Sequence, residues 1–137
     1  MKQEIKTLKI NTTGQGFYEL SSQINEWLNK KKIAEGLLTM YVKHTSCSLL
    51  IQENADNDVK KDLLNFFNKI APENSNYIHN SEGPDDMPAH IKTSLTQTNL
   101  SIPIENSKLT LGTWQGIYLF EHRKSNHYRE IKLHLIS

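Results

Sequence analysis

Apolar positions recur every three or four residues in two stretches of the chain and every second residue in several others. Ile24, Trp27 and Leu28 follow Ser21-Ser22 at helical spacing and stop before Gly36, which predicts an amphipathic helix with Trp27 in the core. Val59, Leu63, Phe66, Phe67 and Ile70 mark a clearer helix. Asp56-Asn57-Asp58 bring carboxylates to its first turn, Pro72 ends it, and its apolar stripe is expected to face a sheet. Ile5, Leu8 and Ile10 indicate a first strand, with Gly14-Gln15-Gly16 as the turn after it. Leu37 to Lys43 and Ser48 to Gln52 are β-rich and separated only by His44-Thr45-Ser46-Cys47, so they read as adjacent strands or one bent strand. Four more strands are predicted over Leu100–Ile104, Lys108–Thr113, Ile117–Glu121 and Arg129–Ile136. The last alternates Ile131, Leu133 and Leu135 against Glu130, Lys132 and His134. Strands at both ends with two or three helices between them predict one α+β domain over residues 1–137, a largely antiparallel sheet or sandwich.

Composition narrows the function classes. With 137 residues the chain can bury one real core. Sixteen basic residues stand against 15 acidic ones and no basic block exceeds Lys30-Lys31-Lys32, which reads as the solvated end of the first helix. Nucleic acid is thereby disfavoured as the main partner. A single cysteine, Cys47, forms no internal disulfide and points to a reducing compartment, and no run reaches transmembrane length or forms a secretory signal core. A soluble cytoplasmic protein is the expectation.

The stretch Gly83-Pro84-Asp85-Asp86-Met87-Pro88-Ala89-His90-Ile91-Lys92 gathers two carboxylates, an imidazole and an ammonium around a turn. Pro88 suits the first turn of a helix and Asp86 is placed to cap it. A helix N-terminus attracts anions, but Asp85 and Asp86 repel a phosphate unless a cation intervenes, and that conflict hints at a metal. The segment ends a loop of about 15 residues that carries Tyr77, Ile78 and His79, a length at which loops are usually functional or disordered.

His44-Thr45-Ser46-Cys47-Ser48-Leu49, Asn54-Ala55-Asp56, Tyr77-Ile78-His79, Gly83 to Lys92, and Gly112-Thr113-Trp114-Gln115-Gly116-Ile117 followed by Glu121-His122-Arg123 together resemble the YjbQ family, also called the secondary thiamine-phosphate synthase family. The likeness spans nearly the whole chain. It implies a compact α+β fold, a homotrimer, a polar pocket with a bound metal, and an ability to join a pyrimidine diphosphate to a thiazole phosphate. The family pattern does not include a cysteine nucleophile, many relatives being expected to carry alanine at that position. Cys47 therefore reads as a small buried residue.

Three imidazoles lie in the matched motifs, and His44, His79 and His90 plus water would form an open zinc geometry. Asp85 and Asp86 could orient such histidines or hold magnesium beside a diphosphate. Lys92 and Arg123 are candidates for phosphate oxygens, and Glu121 for orienting a histidine or the arginine. His122 points the other way along its strand, and His127 and His134 read as surface residues. Ser46 offers a hydroxyl to a substrate, as do Thr45 and Ser48, without an assignable general base. Asn54 and Asp56 read as helix caps. The glycines around Trp114 and Gln115 suit a bulge near a ligand, with Trp114 stacking on a heterocycle or packing in a core or interface. The expected activity is a metal-assisted reaction on a small phosphorylated heterocycle, with zinc or magnesium as cofactor. A metal-dependent hydrolase and a non-catalytic ligand- or metal-binding protein stand as alternatives.

Overall fold

A computed structural model describes all 137 residues. Its elements, in chain order, are β1 (Gln3–Thr12), β2 (Gly16–Glu19), α1 (Ser21–Asn29), β3 (Glu35–Val42), β4 (Cys47–Glu53), α2 (Asn57–Ile70), α3 (Asp86–Leu95), β5 (Asn99–Glu105), β6 (Lys108–Leu109), β7 (Gln115–Glu121) and β8 (His127–Ile136). All strand pairs are antiparallel, in a five-stranded sheet of order β1-β8-β3-β5-β6 and a three-stranded sheet of order β2-β7-β4. The α+β class and the antiparallel pairing follow the hydrophobic pattern.

Period-two alternation turns Leu8 and Ile10, Leu38, Met40 and Val42, Ile102 and Ile104, and Ile131, Leu133 and Leu135 to one face of the larger sheet. There they meet Leu49, Ile117 and Leu119 from the smaller sheet and Ile24, Trp27 and Leu28 from α1 in one core. β7 is buried on both faces, which explains its unbroken apolar run Ile117–Phe120. On the face away from the core, Phe120 stacks on Phe17 at 4.2 Å between centroids and takes Phe67 edge-on at 5.3 Å.

Several expectations are corrected. β3 and β4 lie in different sheets, so the four-residue connection from Lys43 to Ser46 is a crossover between layers instead of a bend in one strand. Residues 16–19, whose first glycine reads as part of a turn, form edge strand β2, and the strand expected over residues 108–113 ends at Leu109. α2 buries none of its residues fully: Phe67 reaches the sheet, but Phe66 and Ile70 remain exposed. Its start is as expected, with the Asp56 carboxylate accepting from Asp58 N–H at 2.9 Å. α3 starts at Asp86, one position earlier than the capping argument required. Asp86 therefore sits inside the first turn, and no side chain caps the start of the helix. No helix is long and apolar enough to cross a membrane.

Candidate functional site

The carboxylate that does not cap α3 organises the site. Asp86 is 2% exposed, and burial alone would raise its pKa. His79 hydrogen-bonded to it and the nearby Arg123 charge hold it below the usual carboxylate range instead. Its Oδ2 lies 2.5 Å from His79 Nε2 and 3.2 Å from His90 Nε2, while its Oδ1 accepts from Arg123 Nη1 at 2.6 Å. The Arg123 fork also donates from Nε to Asp85 Oδ2 at 3.0 Å and from Nη2 to the Glu82 carbonyl at 2.9 Å. Asp85 in turn accepts Lys124 N–H at 2.9 Å. Burial works against the Asp85 carboxylate too, but that N–H and the guanidinium outweigh it and lower its pKa. Gly83 turns the loop into α3 with a φ of +108°, a conformation L side chains rarely adopt.

His90 has its Nδ1 3.0 Å from the Thr45 carbonyl, an acceptor only, so Nδ1 carries the proton. In the neutral ring the Nε2 lone pair then faces the Asp86 carboxylate at 3.2 Å. Two acceptors so placed call for a cation between them, a proton or a metal ion. His79 Nε2, Asp86 Oδ2 and His90 Nε2 all lie within 4.8 Å of one another. Ligands about 2.0–2.1 Å from a tetrahedral ion stand roughly 3.3 Å apart, close to the His90–Asp86 spacing, so the donors fit a metal after a small parting of His79 from Asp86. Two imidazoles and one carboxylate form a set that leaves coordination positions open. Glu82 lies 3.4 Å from the same His79 nitrogen and adds negative charge at the rim.

Not every expected member converges. His44 stays outside the set: its Nε2 accepts Glu130 N–H at 2.8 Å, leaving the proton on Nδ1. Burial, reinforced by Arg129, lowers its pKa and keeps it neutral. Its place is taken by Asp86. Glu121 is wholly buried in a structural pair: Arg129 Nε donates to its Oε1 at 2.7 Å and Nη2 to its Oε2 at 2.6 Å, and Thr12 Oγ1 donates to Oε1. Ser46 is engaged by the same arginine, Nη2 reaching its Oγ at 3.0 Å and its carbonyl at 3.2 Å. Sequence reasoning misses Arg129. Its signal is parity, since it shares the inward face of β8 with Ile131, Leu133 and Leu135, where a charge requires a buried partner.

Lys92 is 2% exposed and donates to Asn68 Oδ1 at 2.6 Å, so its ammonium is held inside the fold. Trp114 and Gln115 stand at the opposite end of β7 from Arg123. Seven strand residues at about 3.3 Å each put them roughly 20 Å along the strand from its Arg123 end. Gln115 Oε1 accepts Gly112 N–H, and Trp114 is 62% exposed. His122 is buried, 2.9 Å from Ser48 Oγ through Nε2, with Nδ1 lacking a partner. His127 and His134 are half-buried at the ends of short hydrogen bonds to Ser125 O and Gln3 Oε1. Cys47 is wholly buried, and burial pushes its thiol up to about 12, in keeping with a packing role.

Known proteins share this arrangement of chain and fold. Residues 6–137 match the family described as UPF0047 protein YjbQ-like. A UPF0047 protein of Synechocystis is 47% identical over 135 residues, covering 98% of this chain and 92% of its own. YjbQ of Escherichia coli O157:H7 is 42% identical over 119 residues, 86% of each chain. Among solved structures, a conserved hypothetical protein of Thermus thermophilus superimposes with a TM-score of 0.83 at 31% identity, covering 93% of this chain and 97% of its own. A Clostridium acetobutylicum member of the YjbQ/UPF0047 family does so with 0.79 at 34%, over 95% and 98%. The family match runs through every element from β1 to β8 and the relatives align over nearly their full lengths: the chain belongs to the YjbQ-like UPF0047 family.

Proposed function

We propose that this protein is a metal-dependent enzyme whose ion is held by His79, Asp86 and His90 and whose small substrate enters from the exposed loop side. The observation that carries the proposal is the meeting of three ligand atoms within 4.8 Å on a frame fixed from behind, by Thr45 O on one ring and Arg123 on the carboxylate. An ion there supplies Lewis acidity and a water of lowered pKa. The chain's own groups do the rest. Arg123 holds Asp86 ionised, Thr45 O fixes the His90 tautomer, and Glu82, 3.4 Å from the same His79 nitrogen, would take up the proton that an ion-bound water gives up.

Among reactions, hydrolysis is the better supported. Transfer between phosphorylated heterocycles, as in thiamine-phosphate formation, asks for free cations to receive a diphosphate. Here Lys92 is shut inside the fold on Asn68, and Arg123 commits its fork to Asp85, Asp86 and Glu82 O. The transfer reading keeps the support of the family resemblance and of Lys124, 61% exposed beside Glu73. Incubating zinc-loaded protein with ester and phosphate panels, and separately with both thiamine-phosphate precursors, distinguishes the two. Product from one substrate alone supports hydrolysis. Pyrophosphate released only when both halves are present overturns it in favour of transfer, and background rates throughout would leave a non-catalytic binder.

The proposal extends to assembly and location. Ile5, Leu37, Tyr41 and Tyr128 share the outer face of the five-stranded sheet and remain exposed, a surface suited to the homotrimer that the resemblance implies. Light scattering on the purified chain tests it. A single buried cysteine with no disulfide partner and balanced charge fit a cytoplasmic protein without nucleic acid as partner.

A further inference from the structure

Two of the metal-ligating residues each have an apolar neighbour in sequence, Ile78 before His79 and Met87 after Asp86, and both neighbours line one cavity. It is an open depression on the surface, about 630 Å³ in volume, a size within the range of small-molecule sites. Tyr77 forms another wall, its ring anchored by the hydroxyl donating to the Pro72 carbonyl at 2.8 Å. Asn76 and Asn80 supply carboxamides, and His79 is shared with the ligating set. No lysine, arginine, aspartate or glutamate lines the cavity. Two carboxylates, Glu82 and Asp86, stand against His79, the second already matched by Arg123. An anionic ligand body would meet no cation on these walls, whereas an uncharged apolar body loses nothing there. Ile78, whose side chain is fully exposed, gains most by being covered.

We infer that the cavity beside His79 receives an uncharged, apolar or aromatic body of a ligand whose polar head reaches the ion held by His79, Asp86 and His90. This rests on the metal reading above and adds the class of substrate: a small neutral molecule with one chelating or hydrolysable polar group, in place of a diphosphate. Tyr77, Ile78 and Met87 form the apolar walls. The flanking carboxamides of Asn76 and Asn80 give the body a hydrogen-bonding edge without selecting a charge.

The test uses the full chain loaded with Co²⁺, with the visible cobalt spectrum as readout of the site. Benzohydroxamic acid and acetohydroxamic acid carry the same chelating head and differ in the body, and inorganic pyrophosphate is the anionic comparison. The expected result is benzohydroxamate binding at least about tenfold more tightly than acetohydroxamate, the gain from covering part of a phenyl ring, with pyrophosphate weaker than benzohydroxamate. Ile78→Ser, a neutral change at a fully exposed position, is expected to remove most of the phenyl preference, bringing the ratio of the two hydroxamate affinities close to one. A normal cobalt spectrum with equal hydroxamate affinities, or with pyrophosphate the tightest, overturns the ligand class alone. Absence of a cobalt spectrum overturns the metal reading and this inference with it.

Discussion

At the residue scale, the chain places buried charge where backbone must be held near the site. Glu121 and Arg129 are 0% and 3% exposed and tie β7 to β8 and to Ser46. Arg129→Met leaves the Glu121 carboxylate buried without its cation, and a loss of about 3–5 kcal/mol is expected by chemical denaturation; a change below about 1 kcal/mol contradicts the role given to the pair. His122 predicts a pH dependence. Its pKa falls from 6.5 to about 3 through burial, with Lys92 and Arg129 adding to it, so the folded ring stays neutral while the unfolded ring takes up a proton. The stability tied to the neutral ring is complete above pH 6.5 and is lost as pH falls toward 3, at up to about 1.4 kcal/mol per unit. Between about pH 7 and pH 5 the wild type should lose roughly 1–2 kcal/mol more than His122→Gln in paired urea titrations, and parallel curves would count against it. Cys47, with its thiol near 12 and wholly buried, should resist iodoacetamide at about pH 8 until the chain unfolds.

At the element scale, the two helices with apolar stripes differ in what the stripes do. α1 closes one end of the core with Ile24, Trp27 and Leu28, and Leu28→Ala should cost about 2–5 kcal/mol. α2 lies over the smaller sheet through Phe67 and leaves Phe66 and Ile70 outside, so Phe66→Lys should move stability by no more than about 0.5 kcal/mol in the isolated chain. Periodicity alone could not separate these cases, because it reports that a stripe exists and not what covers it. The alternating inward residues of β1, β3, β5 and β8 were legible for the opposite reason: one face of each strand meets the core, and parity fixes which. The crossover between β3 and β4 was not, since four intervening residues permit either a bend in one sheet or a step to another. The α3 start misled for a local reason. An aspartate shortly before a proline is a good cap, but here Arg123 and two histidines compete for the carboxylate and win it.

At the scale of the whole molecule, the site joins three distant segments: the β3–β4 crossover with Thr45, the loop and first turn of α3 with His79, Asp86 and His90, and the residues after β7 with Arg123. The sequence named His90 and the acidic pair because chemistry-rich residues crowd around a turn, and His79 because it lies in the long loop before it and in a motif that resembles the family's. It overreached with His44, whose ring closes a backbone hydrogen bond, and with Trp114 and Gln115, which the antiparallel run of β7 carries to the far end of the sheet. Which ends of strands meet is a property of topology, and residue types alone do not encode it.

The central claim is that His79, Asp86 and His90, without His44, hold one metal ion. Its direct measure is elemental analysis of untagged protein loaded with zinc and dialysed against buffer, for the wild type, His79→Ala, Asp86→Asn, His90→Ala and His44→Ala, each checked for folding by circular dichroism. About one zinc per chain in the wild type and in His44→Ala, with less than about a tenth in the other three, is the result the geometry predicts. A wild type that retains no zinc, or a His44→Ala variant that loses it as completely as His90→Ala, would contradict it.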